Sequence, residues 1–383
     1  MSPERGWTEV GRDALDPLEP SPRRRWLPRR RLALGVGDTV APTLVFIAIG
    51  MLLGPYGSHL LSRGVVERSE PLVSVALAVL GVFVGVGTTT IPRVAARDAY
   101  LAGGLGAVLT TAIVAGGLWP LLVSWAAPLP IPVVACAVFL GLTASASAVA
   151  HAGQSERARR VMHMADVDDV PLIVLGTLAI AWLANGDGTP LSWRLAMTVA
   201  SGAGIGLAGW LLFERASGTP ERGVFVTGAI LLMAGTGMYL GTSPLLTGFV
   251  AALVWVRAPG EADRIGVADL RVLQHPLLAL LLIIAGASIE WTLLVVWAAV
   301  ATVLLRLVGK IVASVAVAPI IGVRPGLLAT ALLPPGVLGI ALALNASQIL
   351  GGDSYVLVGI ATTAAAASEV LAMFMPGDLE DRP

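Results

Sequence analysis

The sequence predicts an all-α polytopic protein that crosses a membrane about twelve times. Hydrophobic residues make up 56% of the 383 residues and charged residues only 13%, about half the charged fraction of a soluble domain. Apolar segments follow one another along the chain with brief polar connections between them. Spanning β-strands would alternate polar and apolar residues, and these segments do not, so helices are the predicted spanning elements.

The chain contains twelve apolar segments of spanning or near-spanning length. The eighth is short, and residues 222–257 allow a different division into helices. Gly, Pro and Trp mark many of the segment ends. The approximate limits of the segments are 32–54, 71–92, 99–124, 131–151, 161–184, 191–214, 222–241, 243–257, 273–290, 291–318, 324–348 and 355–375.

The distribution of arginine supports this count and predicts the orientation. If the N-terminus lies in the cytoplasm and the segments alternate, 20 of the 24 arginines fall on the cytoplasmic side. Only Arg63, Arg68 and Arg194 fall outside, and Arg306 lies within a segment. This bias agrees with the positive-inside rule, and a wrong helix count would scramble it. We therefore expect a multi-pass protein of the cell membrane with both termini in the cytoplasm.

Composition also excludes several classes of function. The net charge is zero, so no nucleic-acid partner is indicated. The single Cys136 lies in an apolar segment, which excludes a disulfide framework and a cysteine metal site. The sequence has no membrane-protease pair, metal-ligand cluster or Gly-rich phosphate loop, so we expect neither an enzyme nor a cofactor. The Arg-rich residues 1–31 are expected to be disordered and to contact anionic lipid.

The only lysine of the chain, Lys310, lies inside the tenth apolar segment. A basic residue at membrane depth costs roughly 2.5–3.5 kcal/mol on insertion scales. Arginine stays protonated, whereas a buried lysine can exchange its proton, so Lys310 is a candidate proton-exchanging group. Arg306 lies one helical turn earlier. It either pairs with an acid, for which Glu369 in the last segment is a candidate, or extends towards an interface.

Two adjacent acids, Asp168 and Asp169, provide the candidate counter-charge for Lys310. If they belonged to a loop ending at Val170, the following helix would be about 22 Å long, too short for a ~30 Å hydrocarbon core. A helix starting near Val161 spans the core and places both acids near its middle. Helical geometry separates them by about 100°, so one can face a cavity while the other faces a neighbouring helix.

Two segments are predicted to be broken. In the fourth, Thr143, Ser145 and Ser147 are hydroxyl residues spaced by two, with small residues such as Ala146 between them. In the eleventh, Pro334-Pro335-Gly336 interrupts the helix ladder. Segments 3–5 and 10–12 then run in opposite orientation, and paired interrupted helices in corresponding positions indicate a midplane ion site between inverted repeats.

Five motifs follow one another along the chain. They are Gly-Met-Leu-Leu-Gly-Pro-Tyr-Gly at 50–57, the acid pair at 168–169, Ser-Pro-Leu-Leu-Thr-Gly-Phe-Val-Ala-Ala-Leu-Val at 243–254, Ala-Gly-Ala-Ser-Ile-Glu at 285–290 and Gly-Lys at 309–310. In this order they resemble the motifs of the sodium/proton exchangers of the cation:proton antiporter superfamily. The resemblance covers roughly residues 40–375.

The resemblance implies a homodimer with an elevator-like alternating-access movement and a role in pH homeostasis. It also implies that Asp168 and Asp169 bind either a monovalent cation or protons, and that Lys310 pairs with one acid when no cation is bound. Members with two acids and a lysine tend to be electrogenic, exchanging two protons for one sodium. Two departures stand out: Ala146 occupies a position that is usually acidic, and the second break reads Pro335-Gly336-Val337 without the charges of related members.

The predicted function is therefore exchange of a monovalent cation, Na⁺ or Li⁺, for protons. The alternatives are K⁺/H⁺ exchange, a sodium-coupled organic-anion symporter on the same scaffold, or a non-transporting membrane scaffold. The predicted organisation is a cytoplasmic tail at 1–31, dimer or scaffold helices at 32–98, core ion-transport helices at 99–184, a linker with further dimer or scaffold helices at 185–290, core helices at 291–376 and a cytoplasmic tail at 377–383.

Overall fold

The regular structure of the chain is helical, as predicted. A computed structural model describes residues 42–89, 93–125, 132–147, 156–184, 189–216, 219–257, 262–351 and 354–374. Within these ranges it contains helices and one isolated β-bridge. The two predicted tails, 1–31 and 377–383, and the beginning of the first predicted segment lie outside the described residues.

Fourteen helices follow one another in the described part of the chain. They are α1 (Pro42–Leu53), α2 (Arg63–Arg68), α3 (Glu70–Thr89), α4 (Arg93–Ser124), α5 (Val133–Ser145), α6 (Glu156–Leu183), α7 (Leu191–Arg215), α8 (Thr219–Leu240), α9 (Pro244–Arg257), α10 (Ala262–Ala287), α11 (Leu293–Ile321), α12 (Pro325–Ala331), α13 (Val337–Leu350) and α14 (Tyr355–Met373).

The helix lengths are those of a multi-pass membrane protein. Among the described residues, six helices are long and apolar enough to cross a membrane: α3, α4, α7, α8, α11 and α14. Shorter apolar helices lie in α1, α5, α9, α10 and α13. Helix α6 has 28 residues but carries several charges in its first half. The exact count of twelve crossings stays a prediction.

The uncertain division of residues 222–257 has a clear outcome. Helix α8 ends at Leu240 and α9 begins at Pro244. Between them Gly241 has a φ of 60°, a left-handed conformation that glycine adopts without a steric penalty. The chain therefore turns at Gly241, and the short eighth segment is a separate helix, as the arginine distribution predicted. In contrast, α10 begins at Ala262, well before the predicted limit of 273, because no proline stands between them to interrupt the helix.

The helices pack in two groups. The first, here called the core group, consists of α4, α5, α6, α11, α12, α13 and α14, and α4 packs extensively on α5, α6 and α11. The second, here called the scaffold group, consists of α1, α3, α7, α8, α9 and α10, with α9 packed between α3 and α7. The predicted division of the sequence into scaffold and core ion-transport helices stays a prediction, as do the roles of the two groups in transport and dimerisation.

The scaffold group is held together by direct backbone contact. A Cβ atom added to Gly248 in α9 would lie 2.1 Å from the main-chain oxygen of Ala78 in α3. Small residues allow such close approach of helix axes in membranes, where packing replaces the hydrophobic effect as the driving force. Glycine at position 248 is therefore required by the distance between α3 and α9.

Candidate ion-binding site

Helix α6 carries both acids in its interior. It is continuous from Glu156 to Leu183, so the interpretation of residues 156–169 as a loop ending at Val170 is wrong. At 1.5 Å per residue, Asp168 lies about 18 Å from the first residue of the helix. Both acids therefore lie inside one continuous helix, and their depth in the membrane stays a prediction.

The chain is non-helical at both positions where a break was predicted, and the two non-helical stretches meet. Helix α5 ends at Ser145, and Ala146 has extended backbone angles. Helix α12 ends at Ala331, and the chain is non-helical through Pro334, Pro335 and Gly336 until α13 begins at Val337. Ser147 and Pro335 form an antiparallel β-bridge, and the amide of Gly336 donates to the carbonyl of Ala146 at 3.3 Å. Residues 148–155, which include the end of the fourth predicted segment at 151, lie outside the described residues.

Arg306 of α11 joins the two breaks. Its guanidinium donates to four main-chain carbonyls, those of Ala144, Ala146 (2.9 Å), Leu333 (3.1 Å) and Pro334 (3.3 Å). The first two carbonyls belong to the C-terminal end of α5 and the other two follow α12, and helix C-terminal ends carry partial negative charge. The side chain is only 3% exposed. Arg306 thus compensates the partial negative charge of the helix ends that meet at this crossing.

Lys310 lies one turn further along α11, at the same crossing. Its ammonium group donates to the carbonyl of Ser145 (2.5 Å), the hydroxyl of Ser147 (2.5 Å) and Oδ2 of Asp168 (3.1 Å). An ammonium group has three protons to donate, so all three have acceptors. Lys310 and Asp168 are 2% and 1% exposed, which makes this a fully buried ion pair.

The two acids occupy different environments. The Oδ2 atom of Asp168 accepts from Lys310 and from the Ser147 hydroxyl, the latter at 3.1 Å. Asp169 is partly exposed, and it has no such ion pair. The Oδ1 atoms of Asp168 and Asp169 are both buried without a hydrogen-bond partner. Buried carboxylate oxygens without a partner are free to receive a proton or a small cation.

The other predicted site residues lie around this centre with different contacts. The hydroxyls of Thr143 and Ser145 donate to carbonyls of their own helix, those of Leu140 and Leu142, so Ser147 alone of the three extends its hydroxyl to the acid. Glu369 is half-buried and attracts Arg306 electrostatically. The guanidinium donates its hydrogen bonds to main-chain carbonyls and not to this carboxylate.

A small cavity lies beside Arg306. Its volume is about 20 Å³, and Thr143, Thr302, Arg306, Gly336 and Ser368 are among the residues that line it. This volume is about enough for one water molecule.

Sequence reasoning missed the main-chain partners of Arg306, because no local pattern shows which carbonyls a distant guanidinium will reach.

Comparison with known proteins identifies the class of this fold. No protein-family profile matches the sequence, and no curated protein sequence matches it. The fold, in contrast, matches a solved structure, and it is the fold of a sodium/proton antiporter. That structure is the sodium proton antiporter MjNhaP1 from Methanocaldococcus jannaschii at pH 8, with a TM-score of 0.61 over 88% of this chain and 90% of the other at 14% identity. MjNhaP1 is a transporter and not an enzyme.

Proposed function

We propose that the chain is a secondary-active antiporter that exchanges a monovalent cation, Na⁺ or Li⁺, for protons. The observation that carries this proposal is the contact of Lys310 with Asp168 at the crossing of two broken helices, beside the unpartnered oxygen of Asp169. The fold shared with MjNhaP1, a sodium proton antiporter, supports it.

The chemistry of exchange follows from competition for one carboxylate. Lys310 occupies Oδ2 of Asp168, and a cation that enters between the two acids has to displace it. The displaced ammonium then loses its carboxylate partner in a dry environment and releases a proton, while Asp169 releases a second proton as it binds the cation. Two protons leave for one cation, so each cycle moves one net charge, worth about 2.3 kcal/mol per 100 mV of membrane potential.

Alternating access requires the site to face each side of the membrane in turn. The core group carries every residue of the candidate site, and the scaffold group carries none of them. We propose an elevator-like displacement of the core group, residues 99–184 and 291–376, against the scaffold helices of 32–98 and 185–290. The same scaffold helices would hold a homodimer in the cell membrane, and chemical cross-linking of the purified protein tests that assembly.

The alternative cargoes differ in what they need from the site. K⁺ uses the same carboxylate and hydroxyl oxygens as Na⁺ and Li⁺, so K⁺/H⁺ exchange is the alternative closest to the proposal. A sodium-coupled organic-anion symporter needs a larger polar cavity than the ~20 Å³ space beside Arg306. The crossing also presents small hydroxyls and carbonyls rather than a binding surface for a large anion.

The experiment that tests the proposal measures dissipation of a pH gradient in proteoliposomes on addition of Na⁺, Li⁺ or K⁺ in turn. Asp169→Asn should abolish exchange with every cation while the protein stays folded, because the amide keeps the shape but neither ionises nor releases a proton. Asp98→Asn is the matched control, since Asp98 is an exposed aspartate of α4. Wild-type exchange rates in Asp169→Asn protein would remove Asp169 from the site.

A further inference from the structure

A buried polar cluster joins the core and scaffold groups away from the ion site. Ser243, at the start of α9 in the scaffold group, accepts a hydrogen bond from the amide of Asn345 in α13 at 2.7 Å and from the hydroxyl of Thr177 in α6 at 3.4 Å. All three residues are buried, Asn345 completely. A polar group in such a place is stabilising only while its partners stay in contact, so the cluster favours one relative position of the two groups.

Further contacts between the groups lie at the same end of the molecule. Gln348, one turn beyond the cluster in α13, donates to the carbonyl of Glu70 at 2.9 Å and accepts from Ser74 at 3.4 Å. The guanidinium carbon of Arg63 lies 5.3 Å from the centre of the Tyr355 ring. All of these residues are on the predicted outer side. At the predicted cytoplasmic side, the hydroxyl of Tyr100 in α4 donates to the carbonyl of Thr88 in α3, at 3.1 Å.

The exposure of α6 changes along the face that carries Asp169. Residues three or four apart share a helix face. In order from the predicted cytoplasmic end, this face consists of Met162 and Asp166, which are exposed, Asp169, which is partly exposed, and Ile173, Thr177 and Ile180, which are buried. The acid is therefore open towards the cytoplasmic end of the helix and closed towards the outer end, where Thr177 joins the cluster.

A cavity of about 120 Å³ lies just outside the cluster. Glu70, Ser74, Thr242 and Gln348 are among the residues that line it. They bring a carboxylate together with hydroxyl and amide oxygens, and oxygen atoms are the ligands that hard cations take. The Oγ1 atom of Thr242 and the Oδ1 atom of Asn345 are buried without hydrogen-bond partners, so both can bind water or a cation once the cluster separates.

We infer that Ser243, Asn345 and Thr177 form the outer gate of the transport pathway and that the cavity at Glu70 is its outer cation vestibule. The gate is closed here, and its hydrogen bonds have to break before Asp169 opens to the vestibule. This inference rests on the proposed function, because a gate has meaning only for a site that opens alternately to two sides.

Cysteine labelling in intact cells tests the gate without a transport measurement. Cys136 is the only natural cysteine, so a Cys136→Ala, Ile173→Cys protein carries one thiol, four residues from both Asp169 and Thr177. Asn345→Ala should raise the labelling rate of this thiol by an impermeant maleimide about tenfold, the effect of losing one net buried hydrogen bond on an equilibrium. Ser347→Ala is the matched control, because its hydroxyl contacts only Leu344 of its own helix, and it should leave labelling unchanged.

A cross-link tests the gate in the opposite direction and remains informative if Asn345→Ala does not fold. In a Cys136→Ala background, oxidation of the Ser74→Cys, Gln348→Cys pair should lower the exchange rate at least about tenfold, and reduction should restore it. The corresponding single-cysteine proteins should not respond to oxidation. Unchanged labelling in a folded Asn345→Ala protein, equal labelling in Ser347→Ala, or exchange that survives the cross-link would each overturn the gate. Loss of exchange in the unmodified chain with every cation would instead refute the proposed antiport.

Discussion

Replacing Arg306 should destabilise the crossing of the two broken helices. Its guanidinium supplies the hydrogen bonds to the carbonyls of Ala144, Ala146, Leu333 and Pro334 at the ends of α5 and α12. Arg306→Met keeps much of the volume and removes both the charge and every donor. The partial negative charges of the four carbonyl oxygens then repel one another in a buried region, because no donor remains between them.

The size of the effect follows from the cost of unpaired carbonyls. Each buried acceptor left without a partner costs about 1–3 kcal/mol, so four would cost at least about 4 kcal/mol. Because the ~20 Å³ cavity beside Arg306 can admit about one water, we expect a loss near this lower value. At roughly 2 °C per kcal/mol for a large chain, the thermal midpoint should fall by about 8 °C. Arg306→Lys keeps the charge but not the planar fork, and it should show about half this loss.

The assay is thermal unfolding of detergent-purified protein, followed by size-exclusion chromatography after heating. Arg257→Met is the matched control, because Arg257 is exposed and donates only to Leu253 of its own helix. It should change stability by less than about 0.5 kcal/mol. A thermal midpoint of Arg306→Met within 2 °C of the wild type, set against the ~8 °C estimated above, would show that the crossing does not depend on this side chain.

Three further substitutions test the site and the packing. Lys310→Gln should remove the dependence of exchange on an imposed potential, because the proton carried by lysine is lost, and a wild-type voltage response would assign Lys310 a purely structural role. Ser147→Ala should weaken the apparent affinity for the cation about threefold to tenfold through loss of one hydrogen bond to the acid, whereas Ser145→Ala should not, as cation titrations of exchange will show. Gly248→Ala should lower the thermal midpoint of unfolding by the equivalent of about 1–3 kcal/mol or more, because its Cβ meets the α3 backbone, while Gly228→Ala, which meets nothing within 4 Å, should not lower it.

The helices and the positions of their breaks could be predicted from the sequence, because a lipid environment restricts what the backbone can do. A backbone in lipid has to satisfy its own hydrogen bonds, so apolar length alone indicates helices. The same length argument placed Asp168 and Asp169 inside a helix. Paired prolines at 334–335 interrupt a ladder wherever they occur, which is why the second break coincides with its prediction.

The partners of the buried polar groups were not predictable in the same way. Arg306 was expected to pair with Glu369 or to extend towards an interface, whereas it donates to carbonyls about 160 residues away in α5. Asn345 lies in an apolar helix and carries no local sign that it meets Ser243. These contacts depend on how distant helices approach one another, and that information is absent from any single segment.

In the proposed transport cycle, the long helices of the core group make the movement depend on the thickness of the lipid bilayer. Helix α4 has 32 residues, about 48 Å at 1.5 Å per residue, and its exposed apolar side chains extend from Tyr100 to Val123, about 34 Å. On α11 the exposed apolar side chains extend from Leu293 to Val315, about 33 Å. Both bands are only slightly longer than a ~30 Å hydrocarbon core. If the core group moves along the membrane normal, these apolar bands no longer align with the hydrocarbon core, and the mismatch costs free energy. The rate of exchange should therefore depend on the acyl-chain length of the lipid.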